Sequence, residues 1–416
     1  MPSVTPAQLL ALEDVLLIDL RSPAEHAHDH IPGAHNVPLF DDVERAIVGT
    51  LFRQVSPSAA FERGHEIVRQ RIGELVARIA ALAGSRVPDT DLGARVDALC
   101  SGGFTALERA LVCVPGMLTQ ATQPSPSLQR TRATQTAEAG NPADAAARII
   151  VVHCWRGGLR SRSVALLLAW LGMEHVYVLE GGHRAYRTEI VAAIEHWSAP
   201  PSYVLRGLTG VGKTLVLREL ERLRPGWTLD LEGLAGHRSS LLGMVGLQPV
   251  SQKRFESRLH ARIAEGFGPV LVIEGESRKV GDIVLPPNVW RTLSGAVDLE
   301  LVAPLERRIA VLEHDYLADQ ASRAELRRQL PLVDARLVRK AGAESLVALF
   351  DAGRIDELVT LLLERYYDPL YRHSERGKHY AARIDASDPP RAALEIAAWI
   401  DAGTGARTHG EAQSLV

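Results

Sequence analysis

The tightest constraint in this chain is an eight-residue run, Gly207-Leu208-Thr209-Gly210-Val211-Gly212-Lys213-Thr214, set between the apolar stretch Tyr203–Leu205 and the helical pattern Lys213–Leu223. The Gly-x4-Gly-Lys-Thr spacing, coming off a strand and opening a helix, predicts a loop whose main-chain amides wrap a phosphate. Gly207, Gly210 and Gly212 let the backbone turn inward, Lys213 neutralises charge, and the Thr214 hydroxyl can reach Mg²⁺. The motif specifies phosphate without specifying which: ATP and a diphosphate-bearing substrate fit the same cradle. Further on, the apolar strand Val270–Ile273 runs into Glu274-Gly275-Glu276. A carboxylate at a strand's C-terminal tip faces the site in folds of this kind, as a base or as the holder of a metal-bound water. Glu274 is the better placed and Glu276 the second candidate. The stretch Asp230–Ser240 reads equally as a pocket lining and as a capped helix start.

A length of 416 residues suits two or three domains. In the first half, a strand pattern at Val15–Asp19 precedes a long amphipathic helix at Ser58–Leu82. The strand Arg148–His153, the helix Ser161–Leu171 and the strand Val176–Leu179 follow, the last ended by Gly181-Gly182. Such repetition builds a parallel sheet covered on both faces. Ser198-Ala199-Pro200-Pro201 reads as a linker into a second α/β pattern, with strands at Trp227–Leu231, Val270–Ile273 and Val297–Val302. The expected division is therefore 1–197, with an insertion at about 84–147, then 202–303, then a mainly helical 304–416. Within the insertion, Pro115–Asn141 is rich in Gln, Thr, Ser, Pro and Ala, without a usable period, and receives no function.

Composition excludes several classes. An apolar share of 46% with 23% charged residues is ordinary globular usage, and the net charge of −3 confines any nucleic-acid contact to local patches. The longest apolar run, near Val164–Leu171, is far too short to cross a bilayer, and Met1-Pro2-Ser3 opens no signal peptide. Three cysteines, Cys100, Cys113 and Cys154, cannot form a disulfide framework, so a reducing, cytoplasmic setting is expected. Cys100 and Cys113 lack a His or third thiol at ligand spacing, which argues against a metal site there.

The first half carries its chemistry in Val151-Val152-His153-Cys154-Trp155-Arg156-Gly157-Gly158-Leu159-Arg160-Ser161. A strand delivers a cysteine to a Gly-Gly loop, and a helix begins at once. Inward-turned amides, a helix N-terminus and the cations Arg156 and Arg160 favour the nucleophilic thiolate and cradle a tetrahedral anion beside it. With Leu16-Leu17-Ile18-Asp19-Leu20-Arg21-Ser22-Pro23-Ala24-Glu25, His30-Ile31-Pro32-Gly33-Ala34 and Leu179-Glu180-Gly181-Gly182, this loop strongly resembles a rhodanese domain. The resemblance implies a cysteine that carries a transferable chalcogen, with Asp19 and Arg21 as a structural pair at a strand end. The seven-residue span Cys154-x5-Arg160 is one longer than common rhodanese loops. His-Cys-x5-Arg-Ser also matches cysteine-dependent phosphatases, so the loop by itself fits both chalcogen transfer and phosphate-ester hydrolysis.

The fold class expected is α/β: an N-terminal rhodanese-like parallel-sheet domain, then a P-loop NTPase-like α/β domain with a helical C-terminal region. That pairing, with the cysteine loop, Asp-Leu-Glu-Gly-Leu-Ala-x-His-Arg from Asp230 and Glu-x-Glu-Ser at Glu274–Ser277, resembles bacterial tRNA 2-selenouridine synthases over nearly the whole length. The resemblance implies a transferase acting on the wobble 2-thiouridine of tRNAs for Lys, Glu and Gln. Geranyl diphosphate would first alkylate the sulfur, and selenium from selenophosphate would then replace it. It further implies Cys154 as selenium carrier, Arg156 and Arg160 on the donor's phosphate, and the P-loop on the geranyl donor, with Mg²⁺ as a further cofactor and ATP equally compatible. A selenophosphate-producing enzyme is an implied partner. The competing readings are a cysteine-dependent phosphatase or sulfurtransferase of rhodanese fold fused to a P-loop kinase or NTPase, and a non-catalytic NTPase with a rhodanese docking module.

For RNA contact the sequence offers two patches. Arg254, Arg258 and Arg262 recur every fourth residue on a predicted helix. Tyr366, Tyr367, Tyr371, Arg372, Arg376, Lys378 and Tyr380 interleave aromatics with cations, which suits stacking on unpaired bases. Either set reads equally as a solvated or packed helix face.

Overall fold

The computed structural model describes residues 2–87, 90–111, 148–275, 277–337, 344–370 and 377–412. They form two compact units, Met1–Ala192 and Ala193–Val416. No described helix is long and apolar enough to cross a membrane.

In the first unit, β1 (Ser3–Val4), β2 (Val15–Asp19), β3 (His35–Asn36), β4 (Ile149–His153) and β5 (Val176–Leu179) build one all-parallel sheet in the order β1-β5-β4-β2-β3. The unbroken apolar runs of β2, β4 and β5 follow from burial on both faces. On one side Leu16, Ile18, Ile150 and Val152 pack on Ile72, Val76 and Ile79 of the helix Pro57–Ala83 and on Val164 and Leu168 of the helix Leu159–Trp170. On the other, Leu17, Val151 and Tyr177 meet Tyr186 and Ile190 of the helix Gly182–His196. Local chemistry sets the helix ends. The Ser56 hydroxyl accepts the Ala59 amide ahead of Pro57, and Gly84, at φ +64°, stops that helix 27 residues later. The register Asp19↔His153 aligns the C-terminal ends of β2 and β4, so their final side chains gather at one edge.

Part of the stretch expected as an insertion is regular. Helices Leu92–Cys100 and Gly103–Ala110 follow the long helix, with Asp91 capping the first. Val96 joins the sheet's core, and Asp97 accepts from His65 at 3.0 Å and Arg69 at 2.9 Å. Two helices of 9 and 8 residues, joined through Gly102-Gly103, are too short to give a readable period. Cys113 and Pro115–Asn141 lie outside the described residues.

In the second unit, β6 (Ser202–Arg206), β7 (Thr228–Leu229), β8 (Leu271–Glu274), β11 (Val297–Val302) and β12 (Ala382–Asp385) form a parallel sheet ordered β12-β11-β6-β8-β7. The chain leaves β6 toward β8 and β7, then returns to its other side with β11. The end of β6 is therefore the switch point at which such sheets bind ligands. An antiparallel ribbon, β9 (Lys279–Val280) and β10 (Ile283–Val284), stands apart from this sheet. Helices Leu305–Leu317, Gln320–Asp334 and Ile355–Leu362 build a core of their own around Leu312, Tyr316, Leu330 and Leu362. The region after Pro304 is not wholly separate from the sheet. β12 closes its edge, and Ile396, Ala397 and Ile400 of the helix Pro389–Ala412 pack with Val216 and Leu220. β12 buries only Ile384 fully, too weak a pattern to read as a strand.

Candidate functional site

Cys154 follows β4, and its side chain is 3% exposed. Its Sγ lies 3.4 Å from Ser161 Oγ, and that hydroxyl in turn donates to the Gly158 carbonyl at 3.1 Å. Burial pushes the thiol up. The Arg160 guanidinium, the Ser161 hydroxyl and the amides of Arg156 and Ser161 more than offset it, holding Cys154 below the ordinary thiol value. Arg160 Nη1 is buried without a hydrogen-bond partner among the described residues, whereas Arg156 is exposed. One guanidinium thus stands inside the cradle and one at its mouth.

The glycines after β5 exist for this loop. A Cβ on Gly182, at φ +60°, would lie 2.3 Å from the Cys154 carbonyl and 2.4 Å from the Gly157 amide nitrogen. With that close approach allowed, the His183 amide donates to the Cys154 carbonyl at 2.9 Å and the Arg184 amide to Trp155 at 3.0 Å. Beneath, Arg21 grips Asp19 through Nε (3.0 Å) and Nη2 (2.6 Å) and reaches the Asp29 carbonyl at 2.8 Å. Both are fully buried, and Asn36 bridges the carbonyls of Asp19 and Arg21. The pair fixes the strand ends and does not touch the thiol's chemistry.

In the second unit the loop Gly207–Thr214 leaves β6 and caps the helix Lys213–Leu223 with Gly212. Lys213 Nζ donates to the Gly207 carbonyl at 3.3 Å, and Thr214 Oγ1 to Glu232 at 3.3 Å. Asp230 accepts the Gly233 amide as the cap of the helix Leu231–Ala235, and the first turn of that helix brings Glu232 to Thr214. The capped helix start within Asp230–Ser240 is thus observed. Arg238, by contrast, is structural: it donates to the Val245 carbonyl at 2.7 Å and lies over the Tyr316 ring. Glu274 ends β8 fully buried, its Oε1 accepting the Glu232 amide at 2.9 Å. Burial, with the charges of Asp230 and Glu232, pushes its carboxyl well above the usual carboxylate range. Glu276 lies outside the described residues.

Sequence reasoning missed Arg308. Its Nε donates to the Thr209 carbonyl at 2.8 Å, and its Nη2 and Nη1 clasp Asp368 at 2.5 and 3.1 Å. Gly210, at φ +78°, sits where a Cβ would be 2.8 Å from the Arg308 carbonyl. This buried pair buttresses the phosphate loop from behind. Among the candidates for RNA contact, Tyr367 is corrected outright. It is 1% exposed in the helical core, beside Tyr316 and Ser240, and cannot stack on a base. The arginine stripe is mostly engaged: Arg258 donates to the Leu234 carbonyl, and Arg262 to Gly266 and Thr228 while covering the Phe267 ring at 4.2 Å. Lys378 pairs with Asp298 at 3.2 Å. Arg254 lies half-buried on the same helix; Tyr371, Arg372 and Arg376 are outside the described residues.

Comparison with known proteins agrees with this architecture. The family model described as the tRNA 2-selenouridine synthase AAA domain matches residues 200–332, around the phosphate loop. The rhodanese-like domain model matches residues 5–67, which include Asp19 and Arg21 and end before the cysteine loop. A tRNA 2-selenouridine synthase of Azotobacter vinelandii is 30% identical over 419 residues, covering 92% of this chain and 94% of the relative. Proteins of the same name from Chromohalobacter salexigens and Cronobacter sakazakii are each 29% identical, over 92% and 91% of this chain and 93% and 91% of their own. With both units matched in order and the likeness running almost end to end, the chain belongs to the tRNA 2-selenouridine synthase family.

Proposed function

We propose that the protein converts the wobble 2-thiouridine of tRNAs for Lys, Glu and Gln into 2-selenouridine, in the cytoplasm, through an alkylated intermediate. The observation that carries this reading is the Cys154 cradle, in which Arg160 and inward amides outweigh burial of the thiol, on the same chain as a buttressed phosphate loop. In the first step the base's sulfur attacks C1 of geranyl diphosphate; a C–S bond forms, the C–O bond breaks, and diphosphate leaves. Gly207, Gly210, Gly212, Lys213 and Thr214 bind that diphosphate. Alkylation turns the sulfur into a leaving group. In the second step the Cys154 thiolate attacks C2, a C–S bond to the enzyme forms and geranyl thiol leaves; the selenium of selenophosphate, its phosphate on Arg156 and Arg160, then displaces Cys154 from C2, and water cleaves the P–Se bond to release phosphate and the 2-selenouridine.

Among the described residues no group of three or more metal-type side chains converges. Mg²⁺ needs only one or two carboxylates beside phosphate oxygens and water, and the Thr214 hydroxyl with Glu232 would hold it. When bound it would neutralise charge on the departing diphosphate. The phosphatase reading needs a proton-donating acid; Asp19, the carboxylate aligned with the start of the cysteine loop, is, against its burial, brought down to about 2 by His153 and Arg21.

The test separates the steps. Lys213→Ala abolishes geranylation of thiolated tRNA yet still converts pre-geranylated tRNA to the selenium product, as read by nucleoside mass spectrometry. Loss of both steps in a folded variant contradicts the division.

A further inference from the structure

A cavity of about 720 Å³ opens against the cysteine loop within the first unit. Cys154, Arg156 and Arg160 stand in one wall. The remainder is largely hydrocarbon, with Phe40, Val48, Phe52, Phe61, Leu99 and Phe104 among the lining. These come from the segment before the helix Asp42–Gln54 and from that helix, the helix Pro57–Ala83 and the pair Leu92–Cys100 and Gly103–Ala110. The volume is that of a small-molecule site, for which about 300–1,000 Å³ is usual. Arg45, Arg53, His65 and Glu108 also border the cavity, but apolar surface predominates, and a phosphate-sized selenium donor needs neither this space nor this lining. What fits is an apolar chain whose polar end reaches the cationic wall. At the open side Phe52 is 54% exposed, an aromatic left uncovered beside the cavity it lines.

We propose that this cavity receives the hydrocarbon chain borne on the sulfur of the alkylated base, and so sets C2 of that base beside Cys154. The assignment rests on the proposed function, in which alkylation precedes selenium transfer. It gives the branched ten-carbon chain a second role. Besides making sulfur a better leaving group, the chain is the handle by which the first unit recognises an intermediate ready for selenium. Each methylene buried adds affinity, so recognition rises with chain length until the cavity is filled.

The experiment uses the full-length Cys154→Ser protein and measures, by fluorescence anisotropy, binding of an anticodon stem–loop carrying S-geranyl- or S-methyl-2-thiouridine. The geranyl form is expected to bind at least tenfold more tightly. Leu99→Glu, which puts a charge into the lining, reduces that ratio to below threefold, and Phe52→Ala, at the open rim where folding is not at stake, lowers it severalfold. Equal binding of the two oligonucleotides overturns the assignment. So does a preference that survives both substitutions in proteins with unchanged circular dichroism. A parallel assay of the unsubstituted protein separates the two failures. If it forms no geranylated nucleoside from geranyl diphosphate, the proposed function fails; if it forms and converts one while the two oligonucleotides bind alike, only the cavity assignment fails.

Discussion

Cys154 is nearly as buried as any core residue, yet its thiol sits below its ordinary value because Arg160, Ser161 and two amides face it. Arg160→Ala removes the largest favourable contribution. The pH midpoint of Cys154 alkylation by iodoacetamide should rise, with less thiolate near neutrality. An unchanged midpoint would mean that Arg160 does not set the thiol's charge. These residues could be read from sequence because they lie within eight positions of one another. Glu274 could be placed from sequence but not understood. The upward push on its carboxyl comes from burial and from Asp230 and Glu232, some forty residues earlier and brought against it by the pairing of β7 with β8.

At the scale of elements, the phosphate loop owes its shape to more than its glycines. Arg308 stands 99 residues from the Thr209 carbonyl it holds and 60 from Asp368, so no local pattern announces it. Breaking such a buried pair leaves an uncompensated charge and costs about 3–5 kcal/mol. Arg308→Ala should therefore lower the second unit's unfolding free energy by roughly that amount in denaturant titrations and, on the proposed function, raise the KM for geranyl diphosphate. A normal KM in a folded variant would remove the buttress from the account. The strands β2, β4, β5, β6 and β8 were legible because their apolar runs are buried on both faces. The helices Leu92–Cys100 and Gly103–Ala110 and the strand β12 were not, being too short for periodicity and held by tertiary contacts.

Over the whole molecule, the first unit carries a built-in acid sensitivity. Burial holds His153 down to about 4, against the attraction of Asp19, so the folded unit keeps it neutral while the unfolded chain protonates it near 6.5. Stability from this source is complete above pH 6.5 and is lost as pH falls through 4, a change of about 3 kcal/mol. Burial raises Asp19, but His153 and Arg21 bring it down to about 2, so its share is held above about pH 4 and lost below. Thermal melts should show the first unit's transition falling between pH 6.5 and 4, with His153→Gln flattening that slope; a flat profile in the unsubstituted protein would contradict this.

On the proposed function, two anion cradles act in succession on one RNA base, joined by an alkylated intermediate. The most direct test of this succession is nucleoside mass spectrometry of bulk tRNA from a deletion strain expressing Cys154→Ser. Geranylated 2-thiouridine should accumulate while 2-selenouridine disappears. If 2-selenouridine persists, or if neither nucleoside forms while the protein is folded and abundant, the succession is wrong.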